Sequence, residues 1–215
     1  FTFELYATDE NYSYQGAQVA TTTNAADGSF SMGFTYDKAG HYYYLLREQY
    51  GEDSAVGYDA TAYQIHIVVY DNGQGQMVGS VAEISQVGTD KNTIAFYNTY
   101  TPAATQLAIS GVKELTGRPL GDGEFSFQLI QNGQVLETVT NANGRFAFSP
   151  ISYDKSGTYT YQVVEVIPEQ AVNNIYHGVT YDTTVFDVTV TVTDNAGKLK
   201  ATYTAAAGGT EQELK

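Results

Sequence analysis

The sequence predicts an all-β chain built from two tandem immunoglobulin-like antiparallel β-sandwiches. The first observation is an internal repeat: four segments of the N-terminal half recur in the same order about 120 residues later, as expected for two copies of one domain. The second is the alternation of apolar and polar residues over short segments, which is typical of strands with one buried face. The third is the frequency of glycine, with 21 residues, and of tyrosine, with 19, which suits short strands joined by tight turns.

The repeated segments define the elements of each copy. In chain order the pairs are FTFELY with FSFQLI, NAADGSFSMGFTYDKAG with NANGRFAFSPISYDKSG, HYYYLLREQ with TYTYQVVEV, and GYDATAYQIHIVVYDNGQG with TYDTTVFDVTVTVTDNAGK. The Asp-Gly and Asn-Gly pairs supply the positive φ angles that a hairpin turn requires. No amphipathic helix is predicted. We expect the copies to be residues 1–102 and residues 103–215, joined at TPAAT.

The two copies differ at their ends. Copy two begins with a lead-in strand, QLAISGVKELTGRPLGDGE, that has no counterpart in copy one. Copy one ends with NTIAFYNTY, which has no counterpart in copy two. We therefore expect copy one to lack its N-terminal strand and copy two its C-terminal strand, as in a piece of a longer repeat protein. Each missing strand would leave a sheet edge open, so we expect copy one to accept a strand in trans.

The composition narrows the function classes. A formal net charge of −14 provides no basic patch for nucleic acid or for an anionic membrane surface, and no apolar run is long enough to cross a bilayer. The absence of cysteine excludes disulfides, thiolate metal sites and cysteine nucleophiles. The acidic loops and the three histidines lack the spacing of a metal site. No metal and no cofactor are therefore predicted.

Three kinds of polar residue are predicted on the buried face of a strand. In IAFYNTYTP, the parity of a strand places Asn98 on the same side as Ile94, Phe96 and Tyr100. The same test places Lys113 with the apolar residues of the lead-in strand. It also places Glu48 and Glu165 with the alternate tyrosines of HYYYLLREQ and TYTYQVVEV. A buried amide or charge without a partner is costly, so these residues indicate a shared polar site.

A buried lysine, glutamate and asparagine that meet can form an amide bond. Burial favours a neutral, nucleophilic amine and a protonated carboxylic acid. The amine would attack the carboxamide carbon of the asparagine, while the acid polarises the carbonyl group and transfers protons as ammonia leaves. Burial also holds the three groups together and keeps water away from them.

The segments GVKELTGRPLGDGEFSFQL, TYTYQVVEV, VTYDTTVFDVTVTVTDN and IAFYNTY resemble the repeated isopeptide-linkage domains of Gram-positive pilins and surface adhesins. They are similar to the major pilin backbone of streptococci. The resemblance implies that a lysine of the first strand bonds to an asparagine of the last strand and that a central glutamate promotes the reaction. It implies Lys113 as amine and Glu165 as catalyst in copy two, and Asn98 as acceptor and Glu48 as catalyst in copy one. In this sequence the lysine and the asparagine belong to different copies.

These observations predict a structural stalk or shaft module of a bacterial cell-surface protein or pilus, located outside the cell on the wall or fimbrium. Its partners would be neighbouring repeats of the same protein. The cross-link would be a single event without turnover, so the chain is not predicted to be an enzyme. One alternative is an adhesin domain that binds a host glycan or matrix protein. Another is a glycosidase, which would need a cleft with two carboxylates about 5–10 Å apart.

Overall fold

The computed structural model describes residues 1–89 and 91–215, and the side chains of residues 14, 15 and 17 lie outside that description. Within these ranges the chain consists of strands, turns and loops, without a helix. It divides into two compact units, Phe1–Thr101 (unit one) and Pro102–Lys215 (unit two). The predicted all-β class, with two tandem sandwich repeats, is confirmed. The boundary predicted after residue 102 stays a prediction.

Unit one is built on a five-stranded antiparallel sheet with the strand order β2-β1-β3-β5-β6. Two further strands, β4 and β7, pair with each other outside this sheet. The strands are β1 (Thr2–Thr8), β2 (Tyr14–Thr23), β3 (Gly40–Glu48), β4 (Val56–Gly57), β5 (Ala62–Asp71), β6 (Met77–Gln86) and β7 (Thr99–Tyr100).

Unit two contains a six-stranded antiparallel sheet with the order β11-β10-β14-β17-β18-β19, together with three two-stranded ladders, β12-β9, β13-β8 and β15-β16. Its first strands are β8 (Thr105–Leu107), β9 (Ser110–Val112), β10 (Ser126–Gln131), β11 (Gln134–Thr140), β12 (Arg145–Ala147) and β13 (Ile151–Tyr153). The remaining strands are β14 (Gly157–Glu165), β15 (Ile175–Tyr176), β16 (Val179–Thr180), β17 (Val185–Asn195), β18 (Lys198–Ala207) and β19 (Thr210–Glu211).

The sequence repeat corresponds to one topology used twice. The order β2-β1-β3-β5-β6 of unit one matches β11-β10-β14-β17-β18 of unit two. The register matches as well, because Phe3 pairs with Glu48 and Phe127 pairs with Glu165. Each glutamate ends its strand at the same level of the sheet. The two copies therefore place their central glutamate at equivalent positions.

The inward side chains of the main sheet form a separate core in each unit. In unit one the core cluster consists of the buried residues Phe3, Leu5, Tyr44, Leu46 and Tyr63. In unit two a larger set is buried, including Ile109 of the lead-in segment and the alternate valines of β17. Period-two alternation explains this, because residues two apart in a strand point to the same face.

The second layer differs between the units. In unit two the lead-in segment forms β8 and β9, which pair with β13 and β12 and cover the core. The matching region of unit one, residues 29–36, forms no strand. As a result Phe30 is only partly buried, whereas its counterpart Phe146 is 4% exposed. A cleft lies on this side of unit one; its lining residues include Phe1, Phe3, Phe96 and Asn98.

Candidate cross-linking site

In unit two, the largely buried side chains of a lysine and a glutamate form an ion pair. Lys113 lies one residue beyond β9, and Glu165 is the last residue of β14. The lysine Nζ is 2.7 Å from Glu165 Oε2, and the two side chains are 12% and 4% exposed. The Nζ also lies 4.5 Å from the centre of the Phe125 ring, within the range of a cation–π contact. The lead-in segment therefore brings the amine directly to the central carboxylate.

In unit one, an asparagine occupies the matching site. Asn98 Nδ2 donates a hydrogen bond to Glu48 Oε1 at 2.8 Å, and Asn98 Oδ1 accepts one from the backbone N–H of Asp59 at 2.7 Å. Glu48 is only 3% exposed. Its second oxygen, Oε2, is buried and has no hydrogen-bond partner among the described residues. A buried carboxylate oxygen without a hydrogen-bond donor is unusual and costly, so Glu48 Oε2 marks a place that a donor group would fill.

A turn next to each glutamate completes the site, and the sequence reasoning did not single it out. Asp59 Oδ1 accepts a hydrogen bond from the Thr61 N–H at 2.8 Å, and its Oδ2 accepts one from the Tyr97 N–H at 2.6 Å. Burial raises the pKa of Asp59, but hydrogen bonds from Thr61 and Tyr97 outweigh it, so this pKa lies below its ordinary value of 3.8. The carboxylate is therefore charged at neutral pH.

Unit two repeats this turn. Asp182 Oδ1 accepts hydrogen bonds from the Thr184 N–H at 2.8 Å and from the Thr184 hydroxyl at 2.6 Å. The backbone N–H of Asp182 donates to Glu165 Oε1 at 3.3 Å. The signal that could have identified both turns is the Tyr-Asp-x-Thr pattern, which occurs in each copy immediately before the long strand.

The predicted site residues are brought together in pairs. Lys113 meets Glu165 in unit two, and Asn98 meets Glu48 in unit one. Lys113 and Asn98 belong to different units. The chemical roles assigned to the four residues stay predictions.

The predicted strand around Asn98 needs correction. Ile94 and Phe96 do pack against the core, and Tyr97 is 78% exposed, as the alternation predicts. However, residues 94–98 form no ladder, and only Thr99–Tyr100 is a strand. Tyr100 is 53% exposed, so its predicted place on the buried face is wrong. The reason is that this segment pairs with no strand of the main sheet: the Asp59 turn holds Tyr97, the Tyr63 hydroxyl of β5 holds Ala95, and Thr99–Tyr100 pairs with β4.

Two other features of the described residues bear on function. They contain no group of three or more histidine, aspartate or glutamate side chains arranged to hold a metal ion. Within the same residues there is no helix of the length and hydropathy that crossing a bilayer requires.

Comparison with known proteins identifies the family to which the chain belongs. Residues 1–101 and residues 109–214 each match the model of the Spy0128-like isopeptide-containing domain, FctA. The chain belongs to this family. The match in two copies confirms the resemblance found in the sequence and supports a structural pilus module with a surface or fimbrial location. No curated protein matches the chain.

Three solved structures that are similar to the chain are major pilins from Streptococcus pyogenes. The T-13 pilin is 17% identical, with 100% of this chain and 84% of that chain covered and a TM-score of 0.36. The T3.2 pilin is 14% identical, with 100% and 84% covered and a TM-score of 0.38. A mutant of the major pilin is 17% identical, with 100% and 86% covered and a TM-score of 0.39.

Proposed function

We propose that this chain is a shaft module of a bacterial surface protein or pilus, stabilised in its parent protein by lysine–asparagine isopeptide bonds that a buried glutamate promotes. The observation that carries the proposal is the pairing at the two matched sites. Glu48 holds an asparagine carboxamide through one oxygen, and its other oxygen has no donor in the part of the chain that the structure describes, while Glu165 holds a lysine amine. Each copy thus contains one half of the same three-residue site.

The matched register supports combining the two halves into one site. Glu48 accepts the carboxamide on one oxygen, and its other oxygen has no donor among the described residues. At the matched position Glu165 holds the amine on one oxygen. A single glutamate at this level of the sheet can therefore contact an amine and a carboxamide at the same time, one on each oxygen. This arrangement places the nucleophile and the electrophile side by side, which is the main requirement for a reaction between them.

The reaction balances without any further reagent. The lysine nitrogen forms a bond to Cγ of the asparagine, and the carbonyl oxygen gains negative charge as the tetrahedral intermediate forms. The glutamate takes a proton from the attacking nitrogen and delivers one to the leaving nitrogen. The bond from Cγ to the original amide nitrogen then breaks, and ammonia departs. The product is one amide bond between the two side chains.

The benefit of such a bond is mechanical and entropic. Joining the first and last strands closes a loop of about 100 residues, and by analogy with a disulfide this would stabilise the fold by roughly 4–5 kcal/mol. A force applied to the two ends of a domain would also be carried by covalent bonds. This suits a shaft whose chain contains no cysteine.

Adhesion is a second candidate function, favoured by exposed aromatic residues on unit one. Phe1 is 51% exposed and Tyr50 is 63% exposed, and both rings contact Tyr58, with centroids 6.0 Å and 6.1 Å away. Exposed aromatic rings can stack on sugars. Binding to a glycan or matrix-protein array that is lost in the Tyr50→Ala and Tyr58→Ala variants would support adhesion, and an array without signal would contradict it.

The cross-linking proposal is tested with a synthetic peptide of residues 105–120, which contains the lysine of the lead-in segment. The peptide is mixed with the full chain and the products are weighed by intact mass spectrometry. We expect an adduct lighter than the sum of the two components by one ammonia. It should be absent with Asn98→Ala or Glu48→Ala, whereas the change Glu169→Ala, at an exposed glutamate of unit two, should leave it unaffected.

Two outcomes would contradict the proposal. A peptide that binds the chain, as seen by calorimetry, without forming an adduct would show that Asn98 and Glu48 are ordinary hydrogen-bonded polar residues. A peptide that does not bind at all would show that unit one does not accept such a strand. A peptide with arginine in place of its lysine should bind without reacting.

A further inference from the structure

We propose that Asp59 prepares Asn98 for attack by the lysine amine. The backbone N–H of Asp59 stabilises the negative charge that develops on the carboxamide oxygen, and the Asp59 carboxylate holds that N–H in place. This inference rests on the proposed cross-linking function and adds a residue to its site. It concerns a positioning role for the Asp59 side chain, because that side chain acts through the backbone of Asp59 and Tyr97 and does not contact the reacting atoms.

The backbone N–H of Asp59 contacts the reacting carboxamide group directly. The N–H of Asp59 lies 2.7 Å from Asn98 Oδ1, at the distance expected of a donor that stabilises an oxyanion. The nitrogen of the same carboxamide is held by Glu48 at 2.8 Å. Both polar ends of the group are thus fixed, and a backbone donor is already aimed at the atom that becomes negative when an amine adds to Cγ.

The side chain of Asp59 holds this backbone donor in place. The Asp59 carboxylate uses one oxygen to accept the Thr61 N–H and the other to accept the Tyr97 N–H. The first contact closes the turn on itself, and the second ties the turn to the residue immediately before Asn98. One side chain therefore fixes the donor N–H and the acceptor residue relative to each other, which is the geometry that preorganisation requires.

Unit two contains an equivalent turn at Asp182. In unit two the Asp182 turn keeps the same contact with the threonine two residues later, and its N–H points into the site, where it donates to Glu165. This N–H faces the glutamate site in both units, whether an asparagine or a lysine accompanies the glutamate. The turn is therefore a built-in feature of the site, independent of the contact with Asn98.

The simplest competing explanation is that Asp59 only stabilises a turn, since an aspartate that accepts the N–H two residues later is common in loops. The two explanations differ in their effect on rate. A turn-stabilising residue alters the stability of unit one and leaves the reactivity of the folded site unchanged. A positioning residue alters the rate of bond formation at saturating peptide.

The experiment measures the rate constant of adduct formation in the full chain at saturating peptide 105–120, together with the peptide dissociation constant. We expect Asp59→Ala to lower the rate constant by roughly tenfold to a hundredfold, less than the loss expected for removing an oxyanion donor outright, because the N–H is displaced but still present. The dissociation constant should change less than about threefold. Asp59→Asn, which keeps one acceptor oxygen, should react at an intermediate rate, and the matched Asp182→Ala should react as the wild type does.

A second readout does not depend on the bond. In the wild-type chain, NMR should show slow hydrogen exchange of the Asp59 amide and a fixed Asn98 carboxamide, and both signatures should be lost in Asp59→Ala. If the wild type forms no adduct, the cross-linking function fails while these spectra still decide whether Asp59 positions Asn98. A wild-type rate constant in Asp59→Ala, or an Asp59 amide that exchanges as fast as an exposed one, would overturn the inference.

Discussion

Replacing Lys113 by methionine would leave the Glu165 carboxylate buried without its cation. The glutamate side chain is 4% exposed and the lysine side chain 12% exposed, so water can hydrate neither group fully. Removing one partner of a buried ion pair typically costs 3–5 kcal/mol, and the residual exposure of the lysine places this pair at the lower end. We therefore expect Lys113→Met to destabilise unit two by about 3 kcal/mol, which is roughly a hundredfold in the folding equilibrium constant.

The assay is urea unfolding of the full chain, followed by hydrogen exchange of peptides from β10 and β14 so that unit two is observed separately from unit one. The matched control is Lys200→Met, which removes an exposed lysine of the same unit and should change its stability by less than about 0.5 kcal/mol. The double variant Lys113→Met with Glu165→Met should be more stable than the sum of its single changes predicts, because it removes both charges.

Two results would refute this reasoning. If Lys113→Met costs less than about 1 kcal/mol, the pair behaves like a solvated surface ion pair and the site is not desolvated. If the effects of the two single changes add in the double variant, the 2.7 Å contact contributes nothing to the stability of unit two.

The remaining predictions concern ionisation and packing. Hydrogen bonding by Arg118 holds the pKa of Glu124 at about 2, against an ordinary value of 4.5. Any stability that the ionised Glu124 contributes is therefore present above pH 4.5 and lost as the pH falls through about 2. A carboxyl NMR titration should show this midpoint, and Arg118→Ala should raise the midpoint. Burial raises the pKa of Tyr44 and of Tyr153 above the ordinary value of 10.0, and each hydroxyl is hydrogen-bonded to that of a second tyrosine. The stability of the fold should therefore decline as the pH rises past 10. An ultraviolet titration in which all 19 tyrosines ionise together below the unfolding transition would contradict this. Gly111→Ala would place a Cβ against the Phe146 ring and 2.8 Å from the Leu214 carbonyl oxygen. We expect it to lower the free energy of unfolding by about 1–3 kcal/mol, as measured by thermal unfolding. The control Gly33→Ala, whose Cβ would meet nothing within 4 Å, should leave the free energy of unfolding unchanged.

Much of the fold could be predicted from the sequence because it depends on local periodicity. Alternation alone placed Glu48 and Glu165 on the inner face of their strands, where the structure has them. It also placed Lys113 on the same side of the lead-in segment as Ile109, which is buried, and the Lys113 side chain is 12% exposed. The repeat then made these positions comparable between copies, since a matched register follows from a matched topology.

The rest depends on contacts between residues distant in the chain. Alternation cannot show that residues 94–98 form no ladder, because their backbone is bound by Asp59 and Tyr63, which lie 38 and 32 residues before their partners Tyr97 and Ala95. It also cannot find the N–H that meets Asn98, because a backbone donor exists at nearly every residue and has no sequence signature. Only the approach of two loops gives that group a role.

The central claim is that unit one and a lysine-bearing strand complete one cross-linking site. The most direct measurement is a tandem mass spectrum of the product formed when the full chain is incubated with peptide 105–120. We expect a single branched fragment in which the peptide lysine is joined to Asn98, with the loss of one ammonia. A spectrum without this branch, or one in which the peptide is attached to any other side chain, would contradict it.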